Sequence, residues 1–340
     1  MEQRTLGRTG VHVSPLCLGA MMFGAWGEPD HDESVRVIHR ALDAGINFID
    51  TADVYSRGES ETIVGKALAG GRRDNVVLGT KFHGTMGDDP NEAGNSRRWV
   101  FREVEASLRR LGTDWIDLYQ VHRWDPWTDH AETLGALSDL VAQGKVRYIG
   151  SSTYPAAQIV EAQWVARERN LQRFVCEQPP YSLLVRGVEA DVLPTCREHD
   201  MGVIPWSPLA GGWLSGKWRK GADDLTSRRA AMIPARYDLS IPANQAKLEA
   251  ADALGRLADE AGMSLIHLAL AFVINHPAVT AAIIGPRTMD QLESQLGAAD
   301  VTLDDALLDR IDEIVAPGTN VNPADGGWSN PALEPAARRR

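Results

Sequence analysis

The stretch Phe48–Ser60, FIDTADVYSRGES, sets the frame for the whole chain. An apolar run ends on Asp50, Tyr55 follows in the connecting loop, and Gly58 precedes a new helical pattern, so the segment reads as strand, loop and helix start. A carboxylate at the mouth of a buried strand costs desolvation energy unless a cation meets it. The sequence should therefore place a basic residue at the end of a neighbouring strand.

Outward from this stretch the same unit recurs. Short runs rich in Val, Ile and Leu, namely LCLGA, NFIDT, VVLGTK, IDLYQVH, VRYIGSS, RFVCEQ, GVIPWS and AAIIG, make eight strand candidates. They alternate with amphipathic stretches such as DESVRVIHRALDAG and SRRWVFREVEASLRRLG, the pattern of a parallel sheet with crossover helices. Eight such units close into a (β/α)8 TIM barrel of about 250 residues, and 340 residues leave length for additions. An open doubly wound sheet is the alternative, but it would carry G-x-G-x-x-G after its first strand, and LGAMMFG does not fit.

The additions are legible too. RTLGRTGVHVSPL predicts an N-terminal β-hairpin plug across the barrel bottom. The stretch from Pro208 to Pro242, rich in Gly, Trp, Arg and Pro, predicts a functional lid. TLDDALLDRIDEIV predicts an extra C-terminal helix capped by Thr302, followed by a tail. No repeat or linker divides the chain, so one domain is expected over 1–340, with the barrel over about 15–300 and the helix and tail over 301–340.

A net charge of -11 argues against a general nucleic-acid binder. No apolar run approaches the roughly 20 residues of a membrane span, and MEQRTLGRTG lacks a signal-peptide core, so a cytoplasmic protein is expected. Cys17, Cys176 and Cys196 lack metal-ligand spacing and read as reduced packing residues; no metal site is expected.

Barrel chemistry sits at the carboxyl ends of the strands. Those ends carry Asp50, Lys81, His122, Ser152 and Gln178, with Tyr55 on the loop after Asp50. Lys81, one strand away, is the cation that Asp50 requires. Each residue alone has an ordinary structural role, as cap, solvated strand end, rim histidine or packing aromatic. Their coincidence at adjacent strand mouths favours a catalytic site.

These residues carry a resemblance to the aldo-keto reductase superfamily. INFIDTADVYSRGESETIVGKAL, TKF, LGTDWIDLYQVH, VRYIG, YSLL, IPWSPLAGGWLSGK and IIGPRTMDQLESQLGA match its pattern in order over roughly residues 4 to 316. The resemblance implies a nicotinamide cofactor bound without a Rossmann domain and a catalytic tetrad of Asp50, Tyr55, Lys81 and His122. Reduction of a carbonyl leaves an oxygen that must receive a proton, and a positioned phenol can donate it. A free phenol has a pKa of about 10, so Tyr55 needs a nearby cation to support the reverse reaction. Lys81 supplies that charge, Asp50 holds Lys81, and neutral His122 orients the carbonyl.

The same resemblance implies the cofactor contacts. Gly19 and Met21 offer their backbones, Asp50 borders the site, and Ser152, Thr153 and Gln178 face the carboxamide, with Thr153 standing where many members have Asn. Trp206 stacks on the nicotinamide, and Ser207, Leu209 and Lys217 lie on the loop crossing the pyrophosphate. The adenosine end falls to Gly285, Arg287, Thr288, Gln291 and Gln295, with Gly285 and Gln295 departing from the lysine and asparagine of some relatives. Arg287 offers a planar fork suited to a 2′-phosphate, favouring NADPH/NADP+ over NADH.

The mouth is expected to be ringed by Trp26, Phe82, His83 and Trp124, joined by Trp127, Tyr237 and Trp328, which favours bulky aromatic or cyclic aldehydes and ketones. Two other readings stand beside carbonyl reduction: NADP-dependent oxidation of a secondary alcohol or sugar hydroxyl, and a cofactor-sensing binding subunit, as in potassium-channel beta subunits of this fold. A small-molecule substrate, neither nucleic acid nor membrane, and a monomer or weak homo-oligomer complete the expectation.

Overall fold

A computed structural model describes residues 1–221, 228–329 and 335–338. All eight strand candidates are strands. After a hairpin of β1 (Arg4–Thr5) and β2 (His12–Val13) come β3 (Leu16–Gly19), β4 (Phe48–Asp50), β5 (Val77–Phe82), β6 (Ile116–Val121), β7 (Val146–Ser152), β8 (Cys176–Gln178), β9 (Gly202–Val203) and β10 (Ala282–Ile284). The last eight are parallel in the order β10-β3-β4-β5-β6-β7-β8-β9. The ends of this sheet meet where Thr280 N donates to Val203 O at 2.8 Å and Ile283 N to Pro205 O at 2.9 Å. That closure makes the expected (β/α)8 barrel.

Two apolar layers follow from the two-residue period of the strands. Cys17, Phe48, Leu118, Cys176, Ile204 and Ile283 fill the barrel interior. Their neighbours Leu18, Ile49, Tyr119 and Val203 point outward to the helices. Leu6 of the hairpin joins the interior cluster, and the space beside Gly7 is so tight that a Cβ there would stand 2.6 Å from Val175 O. The hairpin therefore plugs the amino-terminal end of the barrel, as its sequence predicts. All three cysteines are buried and free.

Helix boundaries follow local chemistry. The helix Arg97–Leu111 starts on Ser96, whose side chain accepts from Trp99 N, and stops at Gly112 with φ 63°. The C-terminal helix Asp305–Ile314 is capped by Asp304, which accepts from Leu307 N, rather than by Thr302. The expected cap lay two residues too early because both residue types satisfy the same backbone donors. Among the described residues no single helix is long and apolar enough to cross a membrane; the pair Pro242–Glu260 and Leu265–Ile274 is bent by 96°.

Two segments carry order that their composition does not show. Part of the expected lid, residues 222–227, lies outside the described residues. Its flanks form short helical turns around stacked rings: Trp213 and Tyr237 lie 5.5 Å apart at 3°, and Trp213 and Trp218 4.1 Å apart. Aromatic burial gives this stretch order without periodicity. The tail docks as well, through Asp325 on Lys247; 330–334 and 339–340 lie outside the described residues. Val321 N donates to Leu184 O, Gly187 N to Asn320 Oδ1, and Asn322 Nδ2 to Asn244 Oδ1.

Candidate active site

Strand register brings the polar residues together. Asp50 pairs with Gly79 across β4 and β5, Lys81 with Gln120 across β5 and β6, and Ser152 with Gln178 across β7 and β8. By alternation Asp50, Lys81, Gln120 and Gln178 point into the barrel above its apolar floor. Lys81 Nζ donates to Asp50 Oδ2 at 2.6 Å, to Thr51 O at 2.8 Å and to Tyr55 Oη at 3.2 Å. The lysine side chain is fully buried, and burial pulls its pKa down, but Asp50 and Tyr55 outweigh burial and the net shift is upward. Lys81 is therefore a fixed cation beneath the phenol.

Tyr55 owes its place to an unusual turn. Ser56, Arg57 and Gly58 take φ values of 48°, 56° and 90°, three left-handed residues in succession. Behind them Arg110 is held by Glu61 at 2.6 Å and by Glu103, and a Cβ at Gly58 would stand 2.6 Å from Arg110 Cδ. The His122 ring meets Tyr55 edge-on, with centroids 5.7 Å apart. Burial, and then the charges of Lys81, Arg123 and His83, push the His122 imidazole well below its ordinary 6.5, so it is neutral at neutral pH.

The expected nicotinamide end is also contiguous. Ser152 Oγ donates to Gln178 O at 2.9 Å, and Trp206 Nε1 donates to Thr153 Oγ1 at 3.2 Å. Thr153 and Ser207 are left-handed, at φ 56° and 57°. Thr153 is steadied by Glu177, which is fully buried beneath it and accepts from Tyr154 N at 3.2 Å and from Ser151 Oγ. Burial lifts the Glu177 carboxyl to about 7.

At the other end, Leu18 of β3 pairs with Ile284 of β10, so Gly19 and Gly285 follow on adjacent strands. Thr288 Oγ1 accepts from Gln291 N at the start of the helix Met289–Leu296, and Arg287 N donates to Gln291 Oε1. These residues fit an adenine nucleotide on two observations. Gln295 Oε1 is buried with no hydrogen-bond partner among the described residues, and nothing lies within 4 Å of where a Cβ on Gly285 would stand. Lys217 is exposed on the far loop, and Met21 and Leu209 are half-buried.

The expected ring of aromatics is only partly assembled. Trp26 stands 6.1 Å from Tyr55, ring to ring, and His83 Nδ1 lies 2.9 Å from Asn95 Oδ1. Trp124 packs partly buried against the core. Phe82 is a correction: it alternates with inward Lys81, points outward and packs 4.9 Å from Tyr119 in the helix layer. Tyr237 is buried in the Trp213 stack, its hydroxyl donating to Gly211 O, whereas Trp127 is 93% exposed. Sequence reasoning missed Gln120, Glu177 and Arg123. Gln120 sits two residues before His122, and the same alternation would have found it.

Comparison with known proteins agrees with this geometry. The profile of the aldo/keto reductase family matches residues 15–316. The chain is 40% identical over 340 residues to the uncharacterized oxidoreductase YrpG of Bacillus subtilis, covering 96% of this chain and all of the relative. It is 33% identical to versiconal hemiacetal acetate reductase of Aspergillus parasiticus, over 93% of this chain and 98% of the relative. It is also 35% identical to a probable voltage-gated potassium channel subunit beta of Arabidopsis thaliana, over 93% of this chain and 97% of the relative.

Proposed function

The chain belongs to the aldo/keto reductase family, and we propose that it reduces aldehydes or ketones to alcohols with NADPH, using Tyr55 as the proton donor. The observation that carries this reading is Lys81 Nζ at 3.2 Å from Tyr55 Oη and 2.6 Å from Asp50 Oδ2. NADPH, when bound, supplies a hydride to the carbonyl carbon. The protein's part is to deliver a proton to the carbonyl oxygen, from Tyr55 Oη, as charge develops there. Lys81 stabilises the phenolate left behind, and Asp50 keeps Lys81 protonated in a buried setting. Neutral His122 donates an imidazole N–H to the same oxygen and orients the carbonyl without adding a charge.

Ser152, Thr153 and Gln178 would hold the carboxamide, with Trp206 under the ring. Gly19, Met21, Asp50, Ser207, Leu209 and Lys217 would follow the ribose and pyrophosphate, and Gly285, Arg287, Thr288, Gln291 and Gln295 the adenosine phosphate. Gln178 is suited to this because its amide nitrogen is spent on Asp50 while its oxygen has no protein donor among the described residues. Arg287 makes no ion pair among the described residues, which supports a preference for NADPH over NADH. Trp26, His83 and Trp124 support bulky or aromatic substrates, and three buried free thiols support a cytoplasmic protein.

The test is loss of NADPH absorbance with a panel of aldehydes and ketones, with Tyr55→Phe in parallel. Turnover that collapses in the variant supports the reading; equal rates in both proteins overturn Tyr55 as the acid. Tight NADPH binding without consumption favours instead a cofactor-sensing subunit, the reading suggested by the relative named a potassium channel beta subunit. Faster oxidation of alcohols with NADP+ would favour the reverse direction.

A further inference from the structure

Arg123 follows His122 and turns its guanidinium back over the barrel mouth. Nη1 donates to His122 O at 2.6 Å and to Thr153 Oγ1 at 3.1 Å, the same oxygen that accepts from Trp206 Nε1. Among the described residues, Nε and Nη2 have no hydrogen-bond partner and no carboxylate stands at ion-pairing distance. Three other sheltered arginines are ion-paired: Arg73 with Asp117, Arg110 with Glu61 and Glu103, and Arg186 with Glu189 and Asp312. The carboxylate whose field reaches Arg123 is Glu177, which is already committed to Ser151 and the Tyr154 amide.

A sheltered guanidinium with open donors is costly unless an anion completes it, and its fork suits a carboxylate. Its place decides which anion. It shares Thr153 with Trp206 and is held on the backbone of His122, whose ring meets Tyr55 edge-on, so it borders the space where the carbonyl must sit. Arg236, paired with Asp325 at 3.6 Å, is the other guanidinium whose charge is felt there.

Resting on the carbonyl-reduction reading, we propose that Arg123 is a specificity-determining residue that binds an anionic group, a carboxylate or an ionised phenol, carried by the substrate beside its reacting carbonyl. The test has two readouts on the full-length chain. Benzoate is titrated by tryptophan fluorescence into wild type, Arg123→Met and Arg123→Lys. Separately, kcat/KM is compared for 3- and 4-carboxybenzaldehyde against their methyl esters. The expected result is benzoate binding weakened tenfold or more in Arg123→Met and largely kept in Arg123→Lys, with the acid-to-ester ratio falling by a similar factor. Near-UV circular dichroism establishes that each variant is folded. Equal benzoate affinity in wild type and Arg123→Met, or no binding by either, overturns the proposal. So does a loss of NADP+ affinity in place of benzoate affinity, which would assign the guanidinium to the cofactor. If benzoate binding depends on Arg123 but no aldehyde is consumed, the anion site stands and the carbonyl-reduction reading fails.

Discussion

Gln178 Nε2 donates to Asp50 Oδ1 at 2.9 Å, joining residues 128 positions apart across the barrel interior. Gln120 Nε2 reaches the same oxygen at 3.1 Å, and Lys81 takes the other. The carboxylate is thus fully satisfied, which is what allows an ion pair to persist where both side chains are at most 3% exposed. Lys81→Met should leave Asp50 charged and uncompensated, at a cost of about 3–5 kcal/mol in urea denaturation. Adding Asp50→Asn should restore part of that loss. Strict additivity of the two would count against the coupling.

The depressed His122 pKa has a kinetic consequence. A base whose pKa lies well below 6.5 stays neutral as the pH falls through that value. The kcat/KM profile for aldehyde reduction, followed from about pH 8 to about 5.5, should show no inflection near the ordinary histidine value. An inflection there that disappears in His122→Asn would contradict the assignment.

Glu177 should make stability pH-dependent. Its pKa rises from 4.5 in the unfolded chain to about 7 in the fold, so the folded state favours the protonated carboxyl. That contribution is complete below 4.5 and lost as the pH rises through about 7. The Glu177→Gln variant cannot lose it. Its stability relative to wild type should rise by roughly 1–3 kcal/mol across this window, measured by denaturant melts at several pH values.

Arg287 discriminates between cofactors if it meets the 2′-phosphate. Arg287→Ala should then weaken NADPH binding by about 10-fold to 100-fold, the value of a charge-assisted contact, and leave NADH binding nearly unchanged. Fluorescence titration with both nucleotides decides it. An equal loss for both would place the side chain elsewhere.

Among the described residues, buried Lys247 has only Asp325 Oδ2, at 2.9 Å, and Arg236 O for hydrogen-bond partners, and it lies 4.7 Å from the Trp213 ring centroid. Asp325→Ala should leave that ammonium unpaired, lower stability by about 3–5 kcal/mol and expose the C-terminal segment to proteolysis. Limited trypsin digestion would reveal it as faster cleavage within the tail. Digestion at the wild-type rate would mean that the ion pair does not hold the segment down.

The barrel and the catalytic centre were open to sequence reasoning because both depend on local patterns. Eight apolar runs alternate with amphipathic stretches, and five of them carry Asp50, Lys81, His122, Ser152 or Gln178 at their ends; Asp50 asks for Lys81 simply because a buried charge needs a partner. The same two-residue period, applied one position further, excludes Phe82 from the mouth, since its neighbour Lys81 points inward. Glu177, next to Gln178, faces outward by the same rule and supports the turn at Thr153 from behind.

Amino-acid order alone determined the strand count, the hairpin plug and the strand ends that carry Asp50, Lys81 and His122, since periodicity and strand termini are properties of neighbouring residues. Tertiary structure decided the rest. In the described flanks of the Pro208–Pro242 stretch Trp213, Trp218 and Tyr237 pack together, the tail docks through Asn320, Asn322 and Asp325, and Arg123 reaches Thr153 across the mouth. Each of these depends on a contact between segments remote in sequence and without apolar period. Such a contact is fixed only when barrel closure brings the two surfaces together.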